Sequence, residues 1–130
     1  MKKFKGIVLA GGVIAALTAG GLTSAARAGD ATGVWLRSDG KTKVRFSPCG
    51  SGLCGVIVWL KNQDSPAHVG QRVFNDMAPA GDNQWRGTAF NPEDGKTYTG
   101  KMSLSGASLT TAGCALGGLI CKSYSWRRAN

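Results

Sequence analysis

Residues 42–61 read TKVRFSPCGSGLCGVIVWLK, and this stretch decides the fold. From Thr42 to Ser47 the side chains alternate, with Val44 and Phe46 on one face and Lys43 and Arg45 on the other. That period of two is the signature of a half-buried strand. Pro48 to Gly52 is turn chemistry, and Cys54 to Lys61 is apolar on both faces, as in a well-covered strand. The segment therefore reads as a β-hairpin with Cys49 and Cys54 on either side of its turn.

The same pattern extends in both directions. Upstream, Gly33 to Arg37 reads as a strand and Ser38 to Lys41 as a turn. Downstream, Asn62 to Gly70 is a polar loop carrying His68, Gln71 to Asn75 a short or irregular strand, and Asp76 to Asn83 a second loop. Together Asn62 to Asn83 form the longest stretch without a clear strand pattern. Gln84 to Asn91 and Lys96 to Leu104 flank the tight turn Pro92 to Gly95. Ala107 to Ala112, a Gly-rich turn over Gly113 to Gly118, and Leu119 to Arg127 complete the chain. After Ala28 no stretch repeats apolar residues at helical spacing for three turns. The expected fold is all-β: about eight short antiparallel strands joined by hairpins, which bury their edges best as a small up-and-down barrel. A two-sheet sandwich is the alternative.

The first 28 residues do not belong to that fold. Lys2, Lys3 and Lys5 precede an uncharged stretch from Gly6 to Leu22, and Ala26-Arg27-Ala28 supplies a small-x-small cleavage pattern. This is the three-part layout of a signal peptide, with cleavage expected after Ala28. An uncleaved anchor is disfavoured because the apolar stretch is short and Gly-rich for a bilayer that needs roughly 20 residues. The expectation is a leader over 1–28, one domain over 29–130, a periplasmic or secreted location, and no stable membrane span after cleavage.

Removal of the leader changes the charge. The full chain of 130 residues carries a formal charge of +9, but four of its 16 basic residues lie in the leader. The remaining 12 bases face 7 acids and form no block of five or six like charges. Such a modest excess argues against a nucleic-acid partner.

All four cysteines lie beyond the leader, and an even count in an exported chain points to disulfides. Each of the pairs Cys49–Cys54 and Cys114–Cys121 flanks a Gly-rich turn, so these are the expected bridges. A four-Cys zinc site fits the spacing poorly, and neither pair has the two-residue gap of a redox motif. No metal and no cofactor are expected.

Catalytic signals are weak. His68 is the only histidine, with no nucleophile elbow to accompany it. The adjacent Glu93 and Asp94 invite a calcium or acid–base reading, but calcium needs more oxygens than this turn offers. A hairpin turn capped by Asp94 is the simpler reading. The chain is expected not to be an enzyme.

Several segments resemble a known family. Pro48-Cys49-Gly50 with Leu53-Cys54-Gly55 and Ile57 to Leu60, Asn91 to Tyr98, and the closing Ser123 to Arg127 are similar to the domain of unknown function 2147 family. This family of small exported bacterial proteins implies a lipocalin-like barrel and an extracytoplasmic location, with no particular activity. The segment Asn62 to Asn83 is short for the family, which bears on any role as a lid. Gly33-x-Trp35 also resembles the opening signature of lipocalin-like barrels. That resemblance implies a structural pair closing one end, Trp35 with an Arg of the last strand, Arg127 or its neighbour Arg128. We take Arg127 as the partner.

The aromatic residues are then either plug or pocket lining. The Trp35/Arg127 end is expected to be plugged, with Trp59, Phe90, Tyr98 and Tyr124 as candidate ligand-binding residues. The expected partner is a small, partly apolar molecule, and an envelope protein is the alternative.

Overall fold

The computed structural model describes residues 30–129. The expected leader therefore lies outside the described residues. Eight strands run in chain order: β1 (Gly33–Arg37), β2 (Thr42–Cys49), β3 (Gly52–Leu60), β4 (Arg72–Gly81), β5 (Gln84–Asn91), β6 (Lys96–Ser105), β7 (Ser108–Ala115) and β8 (Ile120–Arg128). A single 3-10 turn, Leu116–Gly118, precedes β8. Each strand pairs antiparallel with the next, and β8 returns to β1 through Trp35↔Arg128, Leu36↔Arg127 and Arg37↔Trp126. The barrel is closed, so no edge is left unpaired.

The alternation read in β2 sets its faces: Thr42, Val44 and Phe46 are buried, whereas Arg45 and Ser47 are exposed. Two expected boundaries shift. The loop expected over Asp76–Asn83 is largely strand, because β4 continues to Gly81. Its pairing with β5 slips between Asn75 and Ala78 and again between Pro79 and Gly81, and Asp76 takes φ 52°. These irregularities absorb Pro79 and Gly81 without ending the strand, and the turn shrinks to Asp82 and Asn83. Likewise β7 runs through Gly113 to Ala115, where a turn was expected, because each of these residues finds a partner on β8.

The turns alternate between the two ends of the barrel. Residues 38–41, 61–71, 92–95 and 116–119 connect strands at one end, which is the open end. The chain start, the turns at 50–51, 82–83 and 106–107, and the chain end lie at the other. This second end is packed solid. Trp35, Phe46, Met77 and Leu109 are essentially inaccessible to solvent, and the Phe46 and Phe74 rings meet with centroids 5.3 Å apart. Gly55 makes that contact possible, since a Cβ there would lie 2.8 Å from the Phe46 ring.

Trp35 anchors the plug. Its Nε1–H donates to the Ala31 carbonyl at 2.9 Å, holding the incoming segment under the barrel. The cation over its ring is Arg128, with Cζ 4.1 Å from the centroid, and not Arg127. Alternation along β8 explains the correction: Trp126 and Arg128 share the inner face, and Arg127 between them points outward. Arg128 also donates to the carbonyls of Thr32 and Asp30, so one guanidinium ties both chain ends of the barrel together.

The two disulfides are Cys49–Cys54, beside the β2–β3 turn, and Cys114–Cys121, beside the β7–β8 turn. They brace opposite ends of the molecule. Among the described residues, no helix is long and apolar enough to cross a membrane.

Candidate ligand cavity

Above the plug, the open half of the barrel encloses a cavity of about 970 Å³. That is near the upper limit of roughly 300–1,000 Å³ typical of small-molecule sites. Its wall is apolar at depth, where Val44, Ile57, Phe74 and Trp126 contribute, and Leu60 and Val73 continue it toward the open end. Toward the mouth it becomes polar, with Arg37, Asp39, Lys41, Glu93, Asp94 and Lys122.

Small inner side chains leave the space open. Ala89, Gly113 and Ala115 line the cavity from the inner face. Gly87 and Gly100 serve a different purpose. A Cβ on Gly87 would lie 2.4 Å from the Asp76 carbonyl oxygen, and one on Gly100 would lie 2.9 Å from the Thr88 carbonyl carbon. These two glycines let neighbouring strands approach closely. At the cavity floor the Trp126 Nε1–H donates to the buried Thr111 hydroxyl at 2.9 Å, which satisfies the indole inside an apolar wall.

Of the four candidate ligand residues, the structure brings three to the cavity. Phe90, Tyr98 and Tyr124 all line it. Trp59 does not. It is 38% exposed on the outer surface, with the Lys43 ammonium 5.4 Å from its ring centroid. The cause is a bulge: the β2–β3 pairing runs Lys43↔Trp59 and then Val44↔Ile57, so Leu60 and Ile57 take the inner positions and Trp59 is turned out. Nothing in the apolar run Val56 to Leu60 announces that slip.

The mouth has an ordered polar rim. Arg37 pairs with Asp39 at 2.9 Å, and the same carboxylate accepts the Lys41 amide. The bonds from Arg37 are the main reason that the Asp39 carboxyl sits below the usual carboxylate range. On the β5–β6 turn, Asp94 accepts hydrogen bonds from the Lys96 amide and the Tyr98 hydroxyl. The Tyr98 bond holds the Asp94 carboxyl low and pushes the phenol up. Asn91 accepts the Glu93 amide, so this turn is built from side-chain caps. His68 is exposed in the β3–β4 loop, away from any of these carboxylates' hydrogen bonds.

Sequence reasoning missed Arg37 and Lys122. Both flank the Tyr124 ring, at 4.7 Å and 5.6 Å from its centroid. Alternation within β8 was the available signal, because Ile120, Lys122, Tyr124 and Trp126 occupy one face. The large apolar side chains left exposed, Trp59, Val69, Leu116, Leu119 and Ile120, all belong to the open half. Asp76 lies beside the Cys49–Cys54 bridge, but both sulfurs are committed to that bond.

A closed eight-stranded barrel, plugged at one end and hollow at the other, is the architecture of the lipocalin class. The chain belongs to the bacterial family described as "Uncharacterized protein conserved in bacteria (DUF2147)", whose model matches residues 33–128. Among solved structures it is similar to protein HP1028 from the human pathogen Helicobacter pylori, which is described as belonging to the lipocalin family. The two share 17% identity and a TM-score of 0.64, over 78% of this chain and 84% of that one. No curated protein matches the chain.

Proposed function

We propose that this protein is an exported binding protein for a small, partly apolar molecule. The cavity carries this reading: a volume of about 970 Å³ with an apolar floor and a polar mouth suits a ligand buried at one end and solvated at the other. Phe90, Tyr98 and Tyr124 are its aromatic lining. Two disulfides and the leader expected over residues 1–28 support export to the periplasm or beyond the cell. In this reading the protein binds and does not catalyse. The test is organic extraction and native mass spectrometry of protein purified from its own host. A defined small molecule recovered at near one per chain supports the reading. Protein of bare polypeptide mass that takes up no added amphiphile contradicts it.

A second reading has its own observation. Val69, Leu116 and Leu119 are exposed on the loops of the open end, as an envelope-protein contact would need. Under that reading Leu119→Asp abolishes capture of one defined envelope protein and leaves small-molecule uptake intact.

A further inference from the structure

One inward position on β8 is out of character with its neighbours. Ile120, Tyr124 and Trp126 give that face an apolar and aromatic stripe, and Lys122 stands in the middle of it. Its register partner, Gly113, contributes no side chain to cover it. Among the described residues Lys122 makes no ion pair; it is exposed, with its ammonium over the Tyr124 ring. Beside it, Arg37 gives Nε and Nη2 to Asp39, which leaves the Nη1 donors uncommitted. Two cationic side chains thus converge on one aromatic ring, on the cavity wall toward the mouth.

The opposite side of the rim carries the other sign. Glu93 and Asp94 sit on the β5–β6 turn, two connections around the barrel from the Arg37–Lys41 turn. Asp94 is engaged by Tyr98, whereas Glu93 is free to repel an anion or attract a cation. The mouth is therefore polarised, and the charge of a ligand's head decides which wall it meets.

We propose that the cavity takes a single-chain amphiphile with an anionic head, held by Lys122 and Arg37 over Tyr124 while its tail lies against Val44, Phe74 and Trp126. This deepens the carrier reading and rests on it. Charge-assisted hydrogen bonds discriminate between an anion and a neutral group of similar size. Carboxylate and phosphate heads share this chemistry, and Arg suits both.

The experiment is calorimetric titration with dodecanoate, dodecanol, dodecyl phosphate and dodecyltrimethylammonium, each below its micellar concentration and at a pH where the carboxylate is ionised. Either anion is expected to bind roughly tenfold more tightly than the alcohol, and the ammonium compound more weakly than both. Which anion binds tighter separates a fatty-acid source from a phospholipid-derived one. Lys122→Gln should remove most of that preference without changing the affinity for dodecanol, and Lys122→Arg should retain it. Equal binding of the anions and the alcohol, preference for the ammonium compound, or an equal loss for both ligands in Lys122→Gln would overturn the anion site and leave the carrier reading standing. Failure of all four amphiphiles to bind would overturn both.

Discussion

Truncating Trp35 tests how the barrel is closed. The side chain is fully buried, at 0% relative exposure. An indole buries roughly 150–250 Å², and at about 25 cal/mol per Å² its transfer alone is worth some 4–6 kcal/mol as an upper bound. Aromatic-to-alanine truncations in cores cost about 3–5 kcal/mol, so Trp35→Ala should lose about 4 kcal/mol, much of the typical stability of roughly 5–15 kcal/mol for a domain. Arg128→Ala removes an exposed cation–π contact of about 0.5–1 kcal/mol and the bonds to Thr32 and Asp30, for a total loss of about 1–2 kcal/mol. Arg127 points outward, so Arg127→Ala should stay within about 0.5 kcal/mol of the parent. Urea unfolding followed by far-ultraviolet circular dichroism measures all three. Equal losses for the two arginine variants, or a Trp35→Ala loss below about 1 kcal/mol, would refute closure by this pair.

Three further outcomes follow from the geometry. Gly87→Ala should cost about 2 kcal/mol or more, since its Cβ would lie 2.4 Å from a backbone oxygen, whereas Gly113→Ala, with its nearest neighbour at 3.5 Å, should be close to neutral by the same unfolding assay. Each disulfide closes a short loop, with sequence separations of 5 and 7, so removing either Cys pair should lower stability by about 2 kcal/mol, measured on Cys→Ala double variants. Asp30, held low by Thr32, and Asp39, held low by Arg37, have folded-state values below the ordinary carboxylate range. Their contribution is complete above about pH 4 and is lost as the pH falls through the depressed values. Thermal midpoints should fall with acid in that window, and Asp39→Asn should soften the fall.

Much of the barrel was legible in short patterns. Val44 and Phe46 against Lys43 and Arg45 set the faces of β2, and the turn residues at Asp39-Gly40 and Asp94-Gly95 set the hairpins. Irregular strands were not legible. Asp76, Pro79 and Gly81 look like a loop because their intrinsic preferences oppose a strand, yet barrel closure keeps them in β4 through bulges. The same limit governs the site. Phe90, Tyr98 and Tyr124 line the cavity, while a one-residue slip on β3 put Trp59 outside. The identity of the closing arginine depended on the parity of β8, which becomes clear only once Trp126 is known to be inside.

The most direct test of a half-plugged, half-hollow barrel is a crystal structure of the protein soaked with an alkyl alcohol brominated at its tail end. An uncharged head keeps this test independent of the anion site. We expect the anomalous bromine peak inside the barrel, in van der Waals contact with Phe74 and Trp126 and above the Phe46 ring. Bromine confined to the outer surface at Trp59 or Leu119, with the space beneath Tyr124 filled by protein side chains, would contradict it.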